Sequence, residues 1–527
     1  MRRLLLVACA FVIACGPSNG PNHPSTWSAP SFFADIPADT PYVVAAIDPI
    51  NDALRTRMYH HLGKQIRKAL EVDAKLVKAE DEPWKRALSA VLDTFRGTDL
   101  DKWNETLGFA PSPRFALYGI GIYPVFRMEL VDATKFRVIA TKAIAAAGTN
   151  GIATAKLGDI TYWTATANTM TAMMAVLDRE VVVAYVPTTQ LQQLLPMLLG
   201  TAHPQSTLAD STFVPDTLKK LGFLRAMFVS IDVGRISAAI TQMPNSPIGS
   251  PECKADFGRL ASYMPRITAG YRRLDAEGYA AGLVVETSPG IAEVLAQVRT
   301  PMPQLPRTQP AVFEMSAGID LDASVDAVRT AVHRLRNEPF RCGDLAKLSE
   351  ALDSLAQKLD EPLPNELHGM RGCDVVLDDF TITPPSGRGG IMLIGAHVGE
   401  LISSMMARVG LPPLPIPNDG VPVALPVGMF IDSIKSAHIA LRDGVAAITI
   451  GDDSEARARN ALAAKPDPHV PFMSFAWDMA RTLEHAPDFA ALVDADTRSS
   501  MQSMKHMELS LELRDGALDF EMDAGWP

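Results

Sequence analysis

The stretch AVFEMSAGIDLDASVDAVRTAVHRL, residues 311–335, contains the pattern that decides the fold. It begins as a β-strand, reaches Asp320, and continues with apolar residues at the spacing of an amphipathic helix. The same order of strand, aspartate and helix occurs near the start of the chain, in PADTPYVVAAIDPI (37–50) followed by DALRTRMYHHLGKQIRKALEV (52–72). The two halves of the chain therefore open with similar segments.

Further segments repeat in the same order after each opening. The pairs are 115–130 with 390–405, 161–186 with 427–452, 224–236 with 471–483, and 272–287 with 509–524. This pattern predicts an internal duplication in an α+β fold. Each half is expected to be a mostly antiparallel sheet with helices packed on one face. Two unrelated α+β domains built from common elements are the alternative.

A proline-rich stretch sets the predicted domain boundary. TPMPQLPRTQP (300–310) contains four prolines, a density that neither a helix nor a central strand tolerates. We therefore predict a first α+β domain over 36–300, a proline-rich linker over 301–310 and a second α+β domain over 311–527. A chain of 527 residues is long enough to form two such cores.

The N-terminus is organised like an export signal. Arg2 and Arg3 precede an uncharged apolar stretch, residues 4–14, which suits a signal-peptide core and is too short to span a bilayer. We predict a signal peptide over 1–14, a lipidated Cys15, and a flexible Pro/Gly/Ser/Asn-rich tether over 15–35. Cys9 fits the same short motif, but cleavage there would leave too short an apolar core. An ordinary secretory signal is the alternative.

The tetrad VIAC (12–15) resembles the lipobox of bacterial lipoproteins. In that family the cysteine thiol is diacylated, the chain is cleaved before it, and the new amino terminus is acylated. The resemblance therefore implies a fatty-acyl membrane anchor at Cys15. Gly16 stands where enteric lipoproteins of the inner membrane carry aspartate, which implies the outer membrane. The repeated strand–helix order also resembles large, uncharacterised secreted lipoproteins of Gram-negative bacteria, a group with no assigned activity.

Charge and hydropathy exclude several classes of partner. The formal net charge is −11, and loss of the two signal-peptide arginines makes the mature chain more acidic still. Without a basic stripe, the sequence argues against nucleic acid as a partner and against electrostatic adhesion to anionic lipid. We expect membrane attachment through the acylated cysteine alone, and a protein of the cell envelope as a further partner.

Three cysteines remain in the body of the chain, namely Cys253, Cys342 and Cys373. In an oxidising compartment an odd number allows one internal disulfide and one free thiol. Cys342 precedes a predicted helix and Cys373 follows it, so we predict a Cys342–Cys373 disulfide. A Cys253–Cys342 disulfide is the alternative, because each of these residues lies just before a helix. Their spacing is a poor match to a zinc site.

Local catalytic motifs such as HExxH and SxxK are absent from the sequence. Acid pairs such as Asp378–Asp379 are typical of solvated turns, and methionine-rich stretches such as TAMMAV (171–176) are typical of irregular cores. We therefore predict no catalytic residue, no cofactor and no metal. The sequence favours a lipid-anchored envelope protein that binds a partner or ligand. The alternatives are a secreted hydrolase and a carrier of a lipid or other apolar molecule.

Overall fold

The computed structural model describes the following ranges of the chain: 28–50, 54–56, 83–95, 100–148, 152–241, 249–307, 311–381, 386–408, 410, 414–426, 436–467, 471–485, 498 and 504–526. These residues form helices and a large antiparallel sheet, so the predicted α+β class is confirmed. The predicted signal peptide, Cys15 and most of the tether lie outside these ranges, as does most of the helix predicted over 52–72. No helix within them is long and apolar enough to cross a membrane.

The chain forms two compact units. The first contains residues up to 249 together with 266–281, and the second contains 250–265 together with 282 to the end. The boundary differs from the predicted one, since 282–300 was expected in the first domain. Residues 250–265 also belong to the second unit, because their helix carries Cys253, which is bonded covalently to Cys342.

The described part of the first unit contains nine paired strands. They are β1 (Tyr42–Ala46), β2 (Phe115–Ile120), β3 (Tyr123–Glu129), β4 (Ala153–Leu157), β5 (Ile160–Ala167), β6 (Met170–Val176), β7 (Glu180–Pro187), β8 (Phe228–Asp232) and β9 (Arg266–Leu274). Every pair is antiparallel, in the spatial order β4-β5-β6-β7-β3-β2-β1-β8-β9. Strand β10 (Gly278–Glu286) begins in this unit. The predicted reversal at 276–278 is confirmed, because the Asp275 carboxylate accepts the N–H groups of Glu277 and Gly278.

Helices cover both faces of the first sheet. They are α1 (Pro83–Phe95), α2 (Leu100–Leu107), α3 (Ala133–Ala147), α4 (Leu191–Leu198), α5 (Phe213–Leu221) and α6 (Val233–Thr241). Helix α3, capped by the Asp132 carboxylate, packs Ile139 into a core that contains Met128 of β3. The neighbouring Arg127 points to the other face, where it donates to carbonyls at the end of α4.

The described part of the second unit also contains nine paired strands besides the end of β10. They are β11 (Phe313–Ala317), β12 (Met370–Thr381), β13 (Ser386–Gly395), β14 (Val423–Ala424), β15 (Ala437–Arg442), β16 (Val445–Ile450), β17 (Met473–Asp478), β18 (His506–Arg514) and β19 (Ala517–Gly525). Their order is β14-β15-β16-β13-β12-β11-β17-β18-β19, all antiparallel. The predicted reversal at 514–516 is confirmed, since Asp515 and Gly516 take the positive φ of a tight hairpin turn.

The prediction that helices lie on one face of each sheet is wrong. The helices of the second unit are α7 (Pro251–Tyr263), α8 (Pro289–Val298), α9 (Leu321–Asn337), α10 (Gly343–Asp360), α11 (Val398–Arg408), α12 (Ser454–Ala463) and α13 (Met479–His485). Met392 of β13 packs with Ala458 of α12, whereas the next residue, Leu393, packs with Ile402 of α11. Because successive side chains of a strand alternate between faces, α11 and α12 cover opposite faces.

Residues 301–307, predicted to be part of a linker, instead pack against the second sheet, and we call them the strap. Met302 and Leu305 are buried, at 0 % and 2 % exposure. Met302 occupies a notch that exists because residue 372 is glycine. A Cβ atom at Gly372 would lie 2.3 Å from the Met302 sulfur and 2.4 Å from the Ala317 carbonyl oxygen. The strap is therefore part of the second unit, and 308–310 lie outside the described ranges.

The predicted Cys342–Cys373 disulfide is wrong, and Cys253 pairs with Cys342. Cys373 has a free thiol and is held in the ladder between β12 and β11. The Asp256 carboxylate of α7 accepts the backbone N–H groups of Arg341 (2.6 Å) and Cys342 (2.9 Å). This contact brings Cys253, one turn earlier on the same helix, to Cys342, with 4.6 Å between their Cα atoms.

Candidate functional site

Strands β11 and β12 of the second unit bury polar side chains and expose apolar ones. On β11, Glu314 and Ser316 are buried, whereas Met315 between them is 37 % exposed. On β12, Asp374 is completely buried and its neighbour Val375 is only partly so. Since alternate side chains point to opposite faces, these two strands bury acids and a serine on one face, and place partly exposed apolar side chains on the other. Soluble proteins usually have the reverse arrangement.

The face that carries Met315 has a regular array of side chains, which we call the apolar grid, and α11 covers its corner at Leu393. Residues directly opposite each other on paired strands lie on the same face, so the strand register defines its rows. The first row is Phe520, Leu511, Met473, Ala317, Cys373 and Leu393; the second is Met522, Leu509, Phe475, Met315, Val375 and Ile391; the third is Ala524, Met507, Trp477, Phe313, Leu377 and Gly389. The grid therefore crosses six neighbouring strands, from β19 to β13.

The grid is uncharged and partly open to solvent. Five of its side chains are more than a third exposed: Met315, Ile391, Met473, Leu509 and Phe520. None of its eighteen positions carries a charged residue. The indole N–H of Trp477 donates to the Thr482 hydroxyl at 2.7 Å, so this group is satisfied within the protein. Contiguous exposed apolar surface of this kind marks an interaction site.

The opposite face of β11 and β12 holds acids beneath the strap. The Leu305 N–H donates to Oδ2 of Asp374 at 2.7 Å, and Arg307 pairs with Glu314. Within the described ranges, Oδ1 of Asp374 and Oγ of Ser316 have no hydrogen-bond partner. Burial raises the pKa of the Glu314 and Asp374 carboxyl groups above their ordinary values. The Arg307 charge lowers both pKa values and so offsets part of that rise. These acids hold the strap in place.

A buried ion cluster has a similar structural role in the first unit. The completely buried Arg127 donates to the Tyr118 hydroxyl at 3.2 Å and to the Leu198 carbonyl at 2.9 Å. It also pairs with Glu180 and with Asp35, whose Oδ2 lies 3.2 Å away. Burial raises the pKa of Tyr118 and of Glu180, while the guanidinium opposes both shifts. The Arg127 guanidinium is thus surrounded by side chains and helix carbonyls of the same unit, as in a structural ion cluster.

Two further ion pairs anchor helix α12 to the second sheet. Arg457 of α12 lies 2.7 Å from the completely buried Asp378 of β12. Arg388 of β13 pairs with Asp453, the residue before the helix, at 2.5 Å. These contacts fix the helix over the sheet and leave Asp378 inaccessible. The acid pair Asp378–Asp379, expected in a solvated turn, is therefore partly an interior feature.

One hydroxyl–imidazole cluster has the composition of a hydrolase site. Oγ of Ser454 lies 2.7 Å from Oγ of Ser436 and 2.9 Å from Nδ1 of His438. Ser454, however, is completely buried at the start of α12. The first unit has a comparable hydroxyl contact with no imidazole, between Thr171 and Thr188 at 2.9 Å. The cluster ties a helix start to a strand, and the Ser454 hydroxyl is not exposed to solvent.

Sequence reasoning singled out cysteines and missed the grid. Of those residues, Cys373 lies in the grid, Cys342 lies in the disulfide with Cys253, and Cys15 is outside the described ranges. No group of three His, Cys, Asp or Glu side chains in the described ranges is arranged to hold a metal ion. No protein-family model, curated protein or solved structure matches this chain. The grid is therefore the candidate site that the geometry itself supplies.

Proposed function

We propose that this chain is a lipid-anchored protein of the bacterial cell envelope that binds an apolar partner or ligand through the grid and catalyses no reaction. The anchor is supported by the sequence around Cys15, with its short apolar core and its proline- and glycine-rich tether. Several acyl chains on one residue hold a protein at a membrane without help from charge. The outer membrane is the proposed location, on the strength of Gly16.

The apolar grid is the observation that carries the binding proposal. Leaving Met473 at 47 % exposure and Leu509 at 39 % keeps water on apolar surface, at a cost of about 25 cal/mol per Å². A bound apolar partner would remove that cost. Among the alternatives, the grid favours a carrier of an apolar molecule over a hydrolase, because the buried acids of this unit hold the strap and α12.

An internal duplication is the second part of the proposal. Its support is the strand order in the two units. With the edge strands β4 and β19 left out, the first unit gives β5-β6-β7-β3-β2-β1-β8-β9, and the second gives β14-β15-β16-β13-β12-β11-β17-β18. In each unit the opening strand, β1 or β11, has two neighbouring strands. One belongs to the hairpin that follows a helical segment, β2–β3 or β12–β13, and the other is a late strand, β8 or β17. Two unrelated domains have no reason to share this order.

Binding at the grid is tested by titrating the purified mature chain with an uncharged apolar fluorophore such as Nile red. Leu509→Glu places a carboxylate on the grid, and we expect it to weaken binding at least tenfold because the ligand would have to bury that charge. Ser510→Glu is the matched control, since it adds the same group to the next residue of β18, on the opposite face. Equal binding by the two variants would overturn the proposal.

A further inference from the structure

We infer that the grid binds the two hydrocarbon chains of a diacyl phospholipid, lying across the strands. This inference rests on the proposed function and names the ligand of the same site. It commits to a lipid molecule removed from the bilayer. A protein partner, a second copy of the chain and adsorption to the membrane surface are the competing occupants.

The chemistry of the grid selects a ligand with no polar groups where it touches the sheet. Its side chains offer no charge and, apart from the weakly donating thiol of Cys373, no free hydrogen-bond donor, since the Trp477 N–H is already bonded to Thr482. A protein interface normally has about one hydrogen bond per 100–200 Å². A peptide laid on this surface would leave its own polar groups without water and without partners. Hydrocarbon chains lose nothing by such contact.

The dimensions of the grid favour a small, elongated ligand. Six strands spaced about 4.8 Å apart span roughly 24 Å, and three rows along each strand span roughly 14 Å. The resulting footprint is at most about 340 Å², because α11 covers the corner at Leu393, and this is less than half of the ~800 Å² per partner that a stable protein interface needs. It is long in one direction and wider than one hydrocarbon chain in the other. Four methionines in the grid, at 315, 473, 507 and 522, supply flexible side chains that adapt to such a surface.

Trp477 provides a reporter within the grid. The mature chain with Cys15→Ser, which carries no acyl chains of its own, is incubated with vesicles of phosphatidylethanolamine whose chains are brominated. The vesicles are then removed by gel filtration, and tryptophan fluorescence is measured. Because bromine quenches an indole on contact, we expect retained lipid to quench the protein. Quenching should fall at least tenfold in Leu509→Glu, persist in Ser510→Glu, and be reduced in Trp477→Phe, which lacks the reporter but binds the lipid.

Each other outcome overturns the inference in a recognisable way. Quenching that disappears when the vesicles are removed would make the grid a membrane-docking surface. A dimer in sedimentation that Leu509→Glu dissociates, with no lipid bound, would make it a self-association surface. In both cases Nile red would still bind the grid, so the proposed function would stand. If neither lipid nor Nile red distinguishes Leu509→Glu from Ser510→Glu, the inference and the proposed function fail together.

Discussion

Removal of the Cys253–Cys342 disulfide should destabilise the second unit chiefly by raising the conformational entropy of its unfolded state. The two cysteines are separated by 89 residues, and closing a loop of that length is worth about 4.6 kcal/mol on the chain-entropy model. In the folded protein, the contact between α7 and the segment around Cys342 does not depend on the covalent bond alone. Asp256 accepts two backbone N–H groups beside Cys342, and the Arg259 guanidinium stacks 4.2 Å from the centre of the Phe340 ring. The double variant Cys253→Ala/Cys342→Ala should therefore fold as before.

We expect that variant to lose about 3–5 kcal/mol of unfolding free energy in urea. Cys373→Ala is the control, because it leaves the disulfide intact and should lose less than about 1 kcal/mol. Disulfide mapping of the oxidised wild type should recover Cys253 with Cys342. The reasoning fails if the double variant loses less than 1 kcal/mol, or if mapping finds Cys373 in the bridge.

Three further predictions concern buried groups. Burial raises the folded pKa of Asp374, so its contribution to stability is full below its unfolded pKa of about 4 and is lost as pH rises through the folded value. Asp374→Asn should therefore flatten the dependence of the urea midpoint on pH and be more stable than the wild type at alkaline pH, and an unchanged pH profile would contradict this. Asp374→Ala should lose about 1–3 kcal/mol of unfolding free energy by leaving the Leu305 N–H unpaired. Gly372→Ala should cost about 1–3 kcal/mol by displacing Met302, with faster hydrogen exchange in the strap, and unchanged exchange would show that the notch is not tight. Arg127→Met should cost about 3–5 kcal/mol because it strands two carboxylates, and a loss under 1 kcal/mol in urea unfolding would refute its structural role.

Local features of the fold were predictable because their causes are local. The hairpin turns at 276–278 and 514–516 follow from Asp and Gly at positions that need them. Asp320 between strand and helix proves to be the N-cap of α9, where its carboxylate accepts the Ala323 N–H. The pairing of 115–130 with 390–405 was wrong in register, because the first contains the β2–β3 hairpin whereas the second contains the end of β13 and the start of α11.

Features set by distant contacts were not predictable from sequence. Alternation along FEMSA (313–317) shows that β11 has two different faces, but it does not show which face is covered. The strap decides this, because Leu305 and Arg307 bind the acids of one face, while Met315 lies on the other. The prolines of the strap predicted a linker, and the contacts that hold the strap on the sheet could not be seen locally because their partners, Gly372 and Asp374, lie far away in the sequence. The disulfide likewise depends on how α7 docks.

Occupancy of the grid in the native envelope tests the central claim most directly. Cys373 lies in the first row of the grid. If Cys15 is acylated and Cys253 is bonded to Cys342, Cys373 carries the one thiol of the mature chain that is available for alkylation. Burial and the neighbouring Asp374 raise the pKa of this thiol, so its alkylation rate should be measured at one fixed alkaline pH. We predict that Cys373 in intact envelope fractions reacts with an apolar maleimide at least ten times more slowly than in the purified, delipidated chain. Equal rates in the two preparations would mean that the grid is empty in the envelope and would contradict the account.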